Sequence, residues 1–307
     1  MPGAPPPAVI RLSKEHRVFA FSGDTAPALR VPAGTTLEIE TADCFDDQVR
    51  SPGDVLAEVD WERINPATGP VYVEGVGPGD VLSVFVERID VADQGVMAVA
   101  PGFGVLAEGF SEQVSRIVPL VDGAARIADG IAVPLRPMIG VIGVAPAGGP
   151  VPTASPGAHG GNMDTRLIGA GAVLYLPVAH SGALFAAGDL HAAMGDGEIC
   201  GTGVEVAGSL TLRLDVRRDL EIAGPVVDTP ELVATIASAE TLDAAADAAT
   251  RHMAALLTDR LGLTLEVATM LMSAGGELQV SQIVDPLRTA RFALPKACFA
   301  GLGADLV

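Results

Sequence analysis

Leu210, Leu212, Leu214 and Val216 alternate with Thr211, Arg213 and Asp215. An apolar residue at every second position marks a strand with one buried face, so a strand is expected across Glu205 to Val216. From Val18 to about Glu87, short apolar alternations are broken by turn residues: Leu29 to Val31 runs into Pro32, Ala33 and Gly34, and Thr36 to Thr41 follows. The pentapeptide PGDVL occurs at Pro52 to Leu56 and again at Pro78 to Leu82, where it leads into Ser83, Val84, Phe85, Val86 and Glu87. It reads as a turn before a strand. Arg116 to Pro134 predicts further short strands around an Asp122-Gly123 turn, and Ile139 to Val144 and Ala172 to Pro177 predict two more.

After Pro225 the period changes. Leu242, Ala246, Ala249, Met253, Leu256, Leu257 and Leu261 recur at helical spacing, and Gly262 supplies a stop. Pro230 to Ile236 reads as a shorter preceding helix and Thr264 to Met272 as a following one, with Thr264 at the N-cap; Leu278 to Val284 returns to strand alternation. The expected fold is mainly β: a β-sandwich or barrel-like body with a small α+β helical insertion near the C-terminus. Four segments are expected: an N-terminal β domain (1–115), a central β domain carrying the site (116–225), a small helical α+β part (226–285), and a C-terminal tail packing on the β body (286–307).

Composition narrows the partners. With 307 residues, 49% of them hydrophobic and 36 of them glycine, the chain can bury a sizeable core built from small side chains and many turns. A net charge of -19 repels phosphate backbones and anionic membrane surfaces, so nucleic acid and membrane are poor expectations. The apolar stretch from Leu167 to Gly188 is interrupted by Pro177, His180 and Ser181, which argues against a membrane span. The opening MPGAPPPAVIRLSKEH has no basic segment followed by an apolar one, as a secretory signal would, and its proline cluster reads as an extended or flexible tail. Cys44, Cys200 and Cys298 are too few and scattered for a disulfide framework or a CxxC knuckle, which fits a reducing cytoplasm.

The candidate chemistry concentrates between Gly160 and Glu205. Asp189, His191, Asp196 and Glu198 stand there in a background of Val, Leu, Ala and Gly, where ionisable groups are costly to bury unless they pair or bind a cation. If Leu190 is extended, Asp189 and His191 project from one face and can deliver an oxygen and a nitrogen ligand to one ion. Together with His159 and Asp164 across a glycine-rich loop, this mixed set suits Zn²⁺ or another divalent first-row ion, and metal-assisted hydrolysis is the natural reaction class. Glu198 is the candidate proton shuttle, with Asp196 beside it as the second acid/base candidate. Backbone N–H groups at Gly160 and Gly161 could face a developing oxyanion.

Each residue has an inert alternative. Asp196-Gly197 could form a hairpin turn, Asp189 could cap a turn, His191 could be a satisfied buried histidine, and His159 could be exposed in its loop. Asp43, followed by Asp46 and Asp47, could reach the site or form a solvated acidic turn. Cys200, close in sequence to Glu198 and His191, is the competing nucleophile, against the alternative of an inert buried thiol. The chain has no GxSxG, HExxH or GxxxxGK[ST] motif.

At HGGNMDTR (His159 to Arg166), LYLPV (Leu174 to Val178), GALFAAGDLHAAMGDGEICGTGVEV (Gly182 to Val206) and SQIVDP (Ser281 to Pro286), the chain resembles the acetamidase/formamidase family. INPATGPVYVEGVGPGDVL (Ile64 to Leu82) is similar to the family's N-terminal pattern. The resemblance implies hydrolysis of short aliphatic amides such as formamide or acetamide to a carboxylate and ammonia, on a mostly β fold, by a homo-oligomer. The matching positions are His159, Asn162 and Asp164; Asp189, His191, Asp196 and Glu198; and Asp43. Asn162 joins Gly160 and Gly161 as a substrate-contacting candidate, while Asp43, His159, Asp164, Asp189 and His191 are the candidate metal ligands. One departure lies after Glu15, His16, Arg17 and Val18, where family members often carry a tryptophan and Phe19 and Phe21 stand here. If that segment walls the pocket, substrate preference shifts with it.

Two other readings remain open. A non-catalytic β-sandwich binding protein could hold a structural Ca²⁺ on the same carboxylates, although His191 favours a transition metal and Glu198 has no work in a purely structural site. A cysteine-based amidase is the third.

Overall fold

A computed structural model describes residues 9–51, 54, 58–303 and 305–307. Strand alternation builds two large open sheets, beside a two-stranded pair of Ala20–Phe21 and Val151–Pro152. The nine-stranded sheet runs, in order, Ile10–Leu12, Thr35–Thr41, Gly208–Arg217, Val81–Val91, Val173–Pro177, Val226–Asp228, Leu232–Ala239, Arg288–Pro295 and Glu277–Gln282, so it draws strands from all four of the expected segments. Its pairings are antiparallel except at the edge, where Ile10–Leu12 lies parallel to Thr35–Thr41. The second sheet, of 11 strands, centres on Phe185–His191, flanked by Met138–Gly143 on one side and Glu205–Val206 on the other.

The two sheets share one core. Leu37 and Ile39, Leu82, Val84 and Val86, and Leu210, Leu212 and Leu214 pack in a single cluster with Ile139, Ile142, Phe185 and Leu190 of the second sheet. This sandwich follows from period-two burial, since each strand hides one row of side chains and needs a facing row to cover it. No barrel closes among the described residues. The second PGDVL copy precedes the Val81–Val91 strand as expected. Apart from Asp54, the first copy lies outside the described residues, as does the proline cluster up to residue 8.

Helix α1 (Leu242–Leu261) buries Ala245, Ala249, Met253, Leu256 and Leu257 along one stripe. The Thr241 side chain caps its start by accepting from the Ala244 N–H, and Gly262, at φ 62°, ends it in the left-handed conformation that glycine adopts freely. Helix α2 (Leu265–Gly275) begins with Thr264 accepting from the Val267 N–H. Both lie against the end of the nine-stranded sheet in a second core with Val233, Phe292 and Leu294. Neither is long and apolar enough to cross a membrane.

The expected helix at Pro230 to Ile236 is instead the strand Leu232–Ala239. Ala234 and Ile236 face the main core while Val233 and Ala237 face the helical one, and Thr235 Oγ1 donates to Ala249 O of α1 at 2.7 Å. A strand covered on both faces is apolar at nearly every position, so the alternation that marks a half-exposed strand is missing.

Candidate active site

His191 ends the central strand of the second sheet, and register sets Glu205 directly beside it. Around its Nε2 stand four carboxylates: Glu205 Oε1 at 3.3 Å, Asp189 Oδ2 at 3.6 Å, Asp164 Oδ1 at 3.7 Å and Glu198 Oε1 at 3.9 Å. All five residues are buried. Their arrival depends on unusual backbone, since Asp164, Asp189 and Glu198 have φ of 43°, 53° and 48°. Left-handed conformations at non-glycine residues cost about 1–3 kcal/mol each and persist where the surroundings enforce them, as at reactive sites. The Asp189–His191 pair therefore meets through a local twist as well as through strand pleat. Gly140, on the neighbouring strand, leaves the space: a Cβ there would fall 2.6 Å from Asp164 Oδ1 and 2.6 Å from Asp189 Oδ2.

Burying this much negative charge around one imidazole shifts Asp164, Glu205, Glu198 and His191. Burial raises Asp164 to about 6 and Glu205 to about 8. Glu198 is pushed well above the usual carboxylate range by burial and then by the Asp164 charge. Burial acts against a charge on His191, but Glu205 and Asp189 beside it outweigh that and hold its pKa well above the ordinary imidazole value. Both ring nitrogens of His191, both oxygens of Asp164, Asp189 Oδ1 and Glu205 Oε2 are buried without a hydrogen-bond partner. Buried polar atoms are nearly always satisfied, so an orphaned set of carboxylate oxygens around an imidazole fits a divalent cation as the absent partner. Asp164, His191 and Glu198 each offer a ligand atom within 4.8 Å of the others, and Cys44, Asp189 and Glu205 form a second such group.

A cavity of about 220 Å³ opens onto this cluster, lined by Asn162, Asp189, Glu198, Glu205 and Asp285 on its polar side and by Phe45, Trp61 and Phe103 on its apolar side. That volume lies below the range of about 300–1,000 Å³ that accommodates drug-sized ligands. Asn162 Oδ1 is buried there without a partner. Asp285 is raised well above the carboxylate range by burial and then by Asp164, and its loop is held by the Gln282 side-chain oxygen, which accepts the N–H groups of Val284 and Asp285 at 2.9 and 3.0 Å. The Glu198 loop is tied to the same segment, with Gly197 N donating to Ser281 O at 2.8 Å.

Of the residues singled out from sequence, Asp164, Asp189, His191 and Glu198 converge, and Asn162 lines the cavity. Asp196 does not join them. Its oxygens meet the guanidinium groups of Arg166 at 2.9 Å and Arg291 at 2.7 Å, so the carboxylate is engaged as a clamp outside both ligand groups. The Gly160 N–H is also spoken for, donating to Gly157 O at 3.1 Å, and neither Gly160 nor Gly161 lines the cavity. A Cβ at Gly160 would lie 2.2 Å from Ile142 O, so glycine is what lets the two strands approach there.

His159 is buried and belongs to neither ligand group; its ring meets Phe21 edge-on at 5.2 Å, and burial lowers its pKa to about 4. Phe21 thus backs His159, while the aromatic wall of the cavity comes from Trp61 and Phe103. Asp43 is also outside both groups: its Oδ1 accepts the N–H groups of Phe45 and Asp47 at 3.0 and 2.9 Å, shaping the turn that carries Cys44. Cys200 donates to Thr202 O at 3.3 Å and does not line the cavity.

Sequence reasoning passed over Glu205, Asp285 and Cys44. Glu205 reads as the opening of an alternating strand, and only its pairing with His191 shows its purpose. Cys44 reads as a lone thiol beside an acidic turn; burial raises its pKa well above the usual thiol value, with Glu205 and Asp189 adding to the effect. The available signal was an acidic residue flanked by apolar ones, as Asp285 is by Val284 and Pro286 and Glu205 by Val204 and Val206.

An open two-sheet β body thus carries a carboxylate-ringed imidazole at the edge of a small cavity. The acetamidase/formamidase family pattern matches residues 13–149 and 148–301, and the chain belongs to that family. Its structure is similar to an acetamidase from Bacillus halodurans, with a TM-score of 0.93 and 48% identity, covering 96% of this chain and 100% of that one. It is similar to a predicted acetamidase/formamidase from the thermophile Thermoanaerobacter tengcongensis to the same TM-score of 0.93, at 49% identity over 96% of this chain and 98% of that one. The formamidase of Methylophilus methylotrophus is 26% identical over 249 residues, a match that covers 62% of this chain and 61% of that protein. The chain thus spans less than two thirds of the length of that curated relative.

Proposed function

We propose that this protein is an amidohydrolase that cleaves short aliphatic amides, formamide and acetamide first among them, to a carboxylate and ammonia. The observation that carries this reading is the convergence of four buried carboxylates on His191 at the edge of a cavity of about 220 Å³. Asp164, Asp189 and His191 would hold a divalent ion, with zinc the best fit to a mixed carboxylate and imidazole set. Such an ion supplies Lewis-acid polarisation of the amide carbonyl and a more acidic water.

The chain's own groups do the rest. Phe45, Trp61 and Phe103 form the apolar wall of a cavity whose volume of about 220 Å³ favours a small acyl group. Asn162 presents an unsatisfied Oδ1 that can accept from the substrate amide N–H and orient it. Glu198, raised in pKa and lining the same cavity, takes a proton from the attacking water and returns it to the departing nitrogen. A structural calcium site is a poorer account, because it leaves His191 and the Glu198 side chain without a task.

Assembly as a homo-oligomer in the cytoplasm is part of the proposal. It is supported by an apolar groove of about 640 Å³ bordered by Met97, Ile127, Val133 and Ile199, of which Val133 and Ile199 are exposed. The net charge of -19 supports a small-molecule substrate over nucleic acid or an anionic membrane. The test is ammonia release from formamide, acetamide and propionamide before and after chelation, with bound metal quantified. Absence of turnover on all three would overturn the proposal.

A further inference from the structure

We infer that the site has two adjacent cation positions, the second formed by Cys44 Sγ with carboxylate oxygens of Asp189 and Glu205. This extends the reading above, on which it rests only for the first position, that of Asp164, Asp189 and His191, with Asp189 shared between the two.

Two groups of candidate ligand atoms, on Asp164, His191 and Glu198 and on Cys44, Asp189 and Glu205, each span no more than 4.8 Å. They adjoin, because His191 Nε2 is 3.3 Å from Glu205 Oε1 and 3.6 Å from Asp189 Oδ2. One carboxylate from each set, Asp164 and Asp189, crowds the same empty space over Gly140. Asp189 can serve both positions: Oδ2 faces His191, while Oδ1 is buried without a partner. Glu205 divides in the same way, with Oε1 accepting the Gly203 N–H at 2.7 Å and Oε2 buried and unpartnered.

Cys44 is held for this purpose. Its carbonyl accepts from Asn65 N at 2.7 Å, Asp43 fixes the turn around it, and its side chain borders the cavity. A neutral thiol between two carboxylates relieves none of their repulsion. A divalent ion does, and its binding sends the thiol proton to solvent and leaves the thiolate as ligand. Thiolate with carboxylate oxygens selects a zinc-class ion over calcium or magnesium. Paired ions in one pocket are a recurrent arrangement for hydrolysis, clamping the attacking and leaving sides of the substrate.

The test uses the whole protein, freed of metal by chelation and titrated with Co²⁺ as a spectroscopic probe. About two equivalents should bind, one with a thiolate-to-cobalt charge-transfer band in the near ultraviolet. Cys44→Ser should abolish the band and weaken one equivalent by about tenfold or more, Asp164→Asn should keep the band while weakening the other, and Cys200→Ser should change neither. Should Cys44→Ser fail to fold, X-ray absorption of zinc-loaded wild-type protein decides, with a sulfur scatterer at about 2.3 Å expected. A single equivalent, absence of the band and sulfur scatterer, or a band that survives in Cys44→Ser overturns the inference. Turnover of acetamide with one equivalent and no band would leave the amidase reading intact; two equivalents with the band but no turnover would do the reverse.

Discussion

Arg291, fully buried in the strand Arg288–Pro295, donates from Nη2 to Asp196 Oδ2 at 2.7 Å, fastening the loop that carries Glu198 to the penultimate strand of the nine-stranded sheet. The same guanidinium donates to Gln279 Oε1 at 2.8 Å and Val280 O at 2.9 Å. Removing the carboxylate strands a buried cation. Asp196→Ala should therefore cost about 3 kcal/mol in denaturant unfolding, and pairing it with Arg291→Met should restore much of that loss. An unchanged midpoint in the single variant would show that the clamp contributes nothing.

Gly140→Ala places a methyl where oxygens of Asp164 and Asp189 now stand. Those carboxylates must separate, so kcat/KM for acetamide should fall by about 100-fold or more, in the range lost when catalytic geometry is displaced by an ångström. Metal content should fall with it, while the far-ultraviolet circular dichroism stays that of the wild type. Wild-type turnover would mean that the two oxygens need not meet.

If Glu198 moves protons, Glu198→Gln keeps the shape and removes the base. A drop in kcat of about 10²–10⁴-fold with little change in KM is expected. A rise in KM at constant kcat would instead assign Glu198 to substrate binding.

Cys200→Ser should leave turnover within about twofold, since the thiol is hydrogen-bonded to Thr202 O and borders the outer groove rather than the cavity. Loss of activity with retained fold would return the thiol to the mechanism.

His159 gives a pH signature. Burial lowers its folded pKa from 6.5 to about 4. Between these values the unfolded chain binds a proton that the folded chain refuses, so this residue's contribution to stability is present above 6.5 and falls as pH drops towards about 4. The full effect is on the order of 3 kcal/mol. His159→Gln should flatten that part of the stability profile, measured as the wild-type minus variant difference in unfolding free energy at pH 7 and pH 4. Equal differences at the two pH values would show that the ring is protonated in the folded state.

Much of this molecule is written locally. The alternation at Leu210, Leu212 and Leu214 marks a strand because only one of its faces is buried, and the spacing of Ala249, Met253 and Leu256 with Thr241 and Gly262 at the ends marks a helix because caps and stripe are short-range features. Asp164, Asp189, His191 and Glu198 were legible because ionisable groups in an apolar stretch need a reason to be there. The strand at Leu232–Ala239 was not, because being covered from both sides is a property of what packs on it.

The sequence by itself therefore determined the β-rich class, the capped helices, the acidic balance and the neighbourhood of the site, all of which rest on interactions between residues close along the chain. Tertiary structure alone decided that Glu205, Cys44 and Asp285 join the cluster while Asp196 turns away to Arg291. Strand register and the left-handed backbone at Asp164, Asp189 and Glu198 aim those side chains. Desolvation, which raises the pKa of Asp164 and Glu198, exists only once distant segments have closed around them.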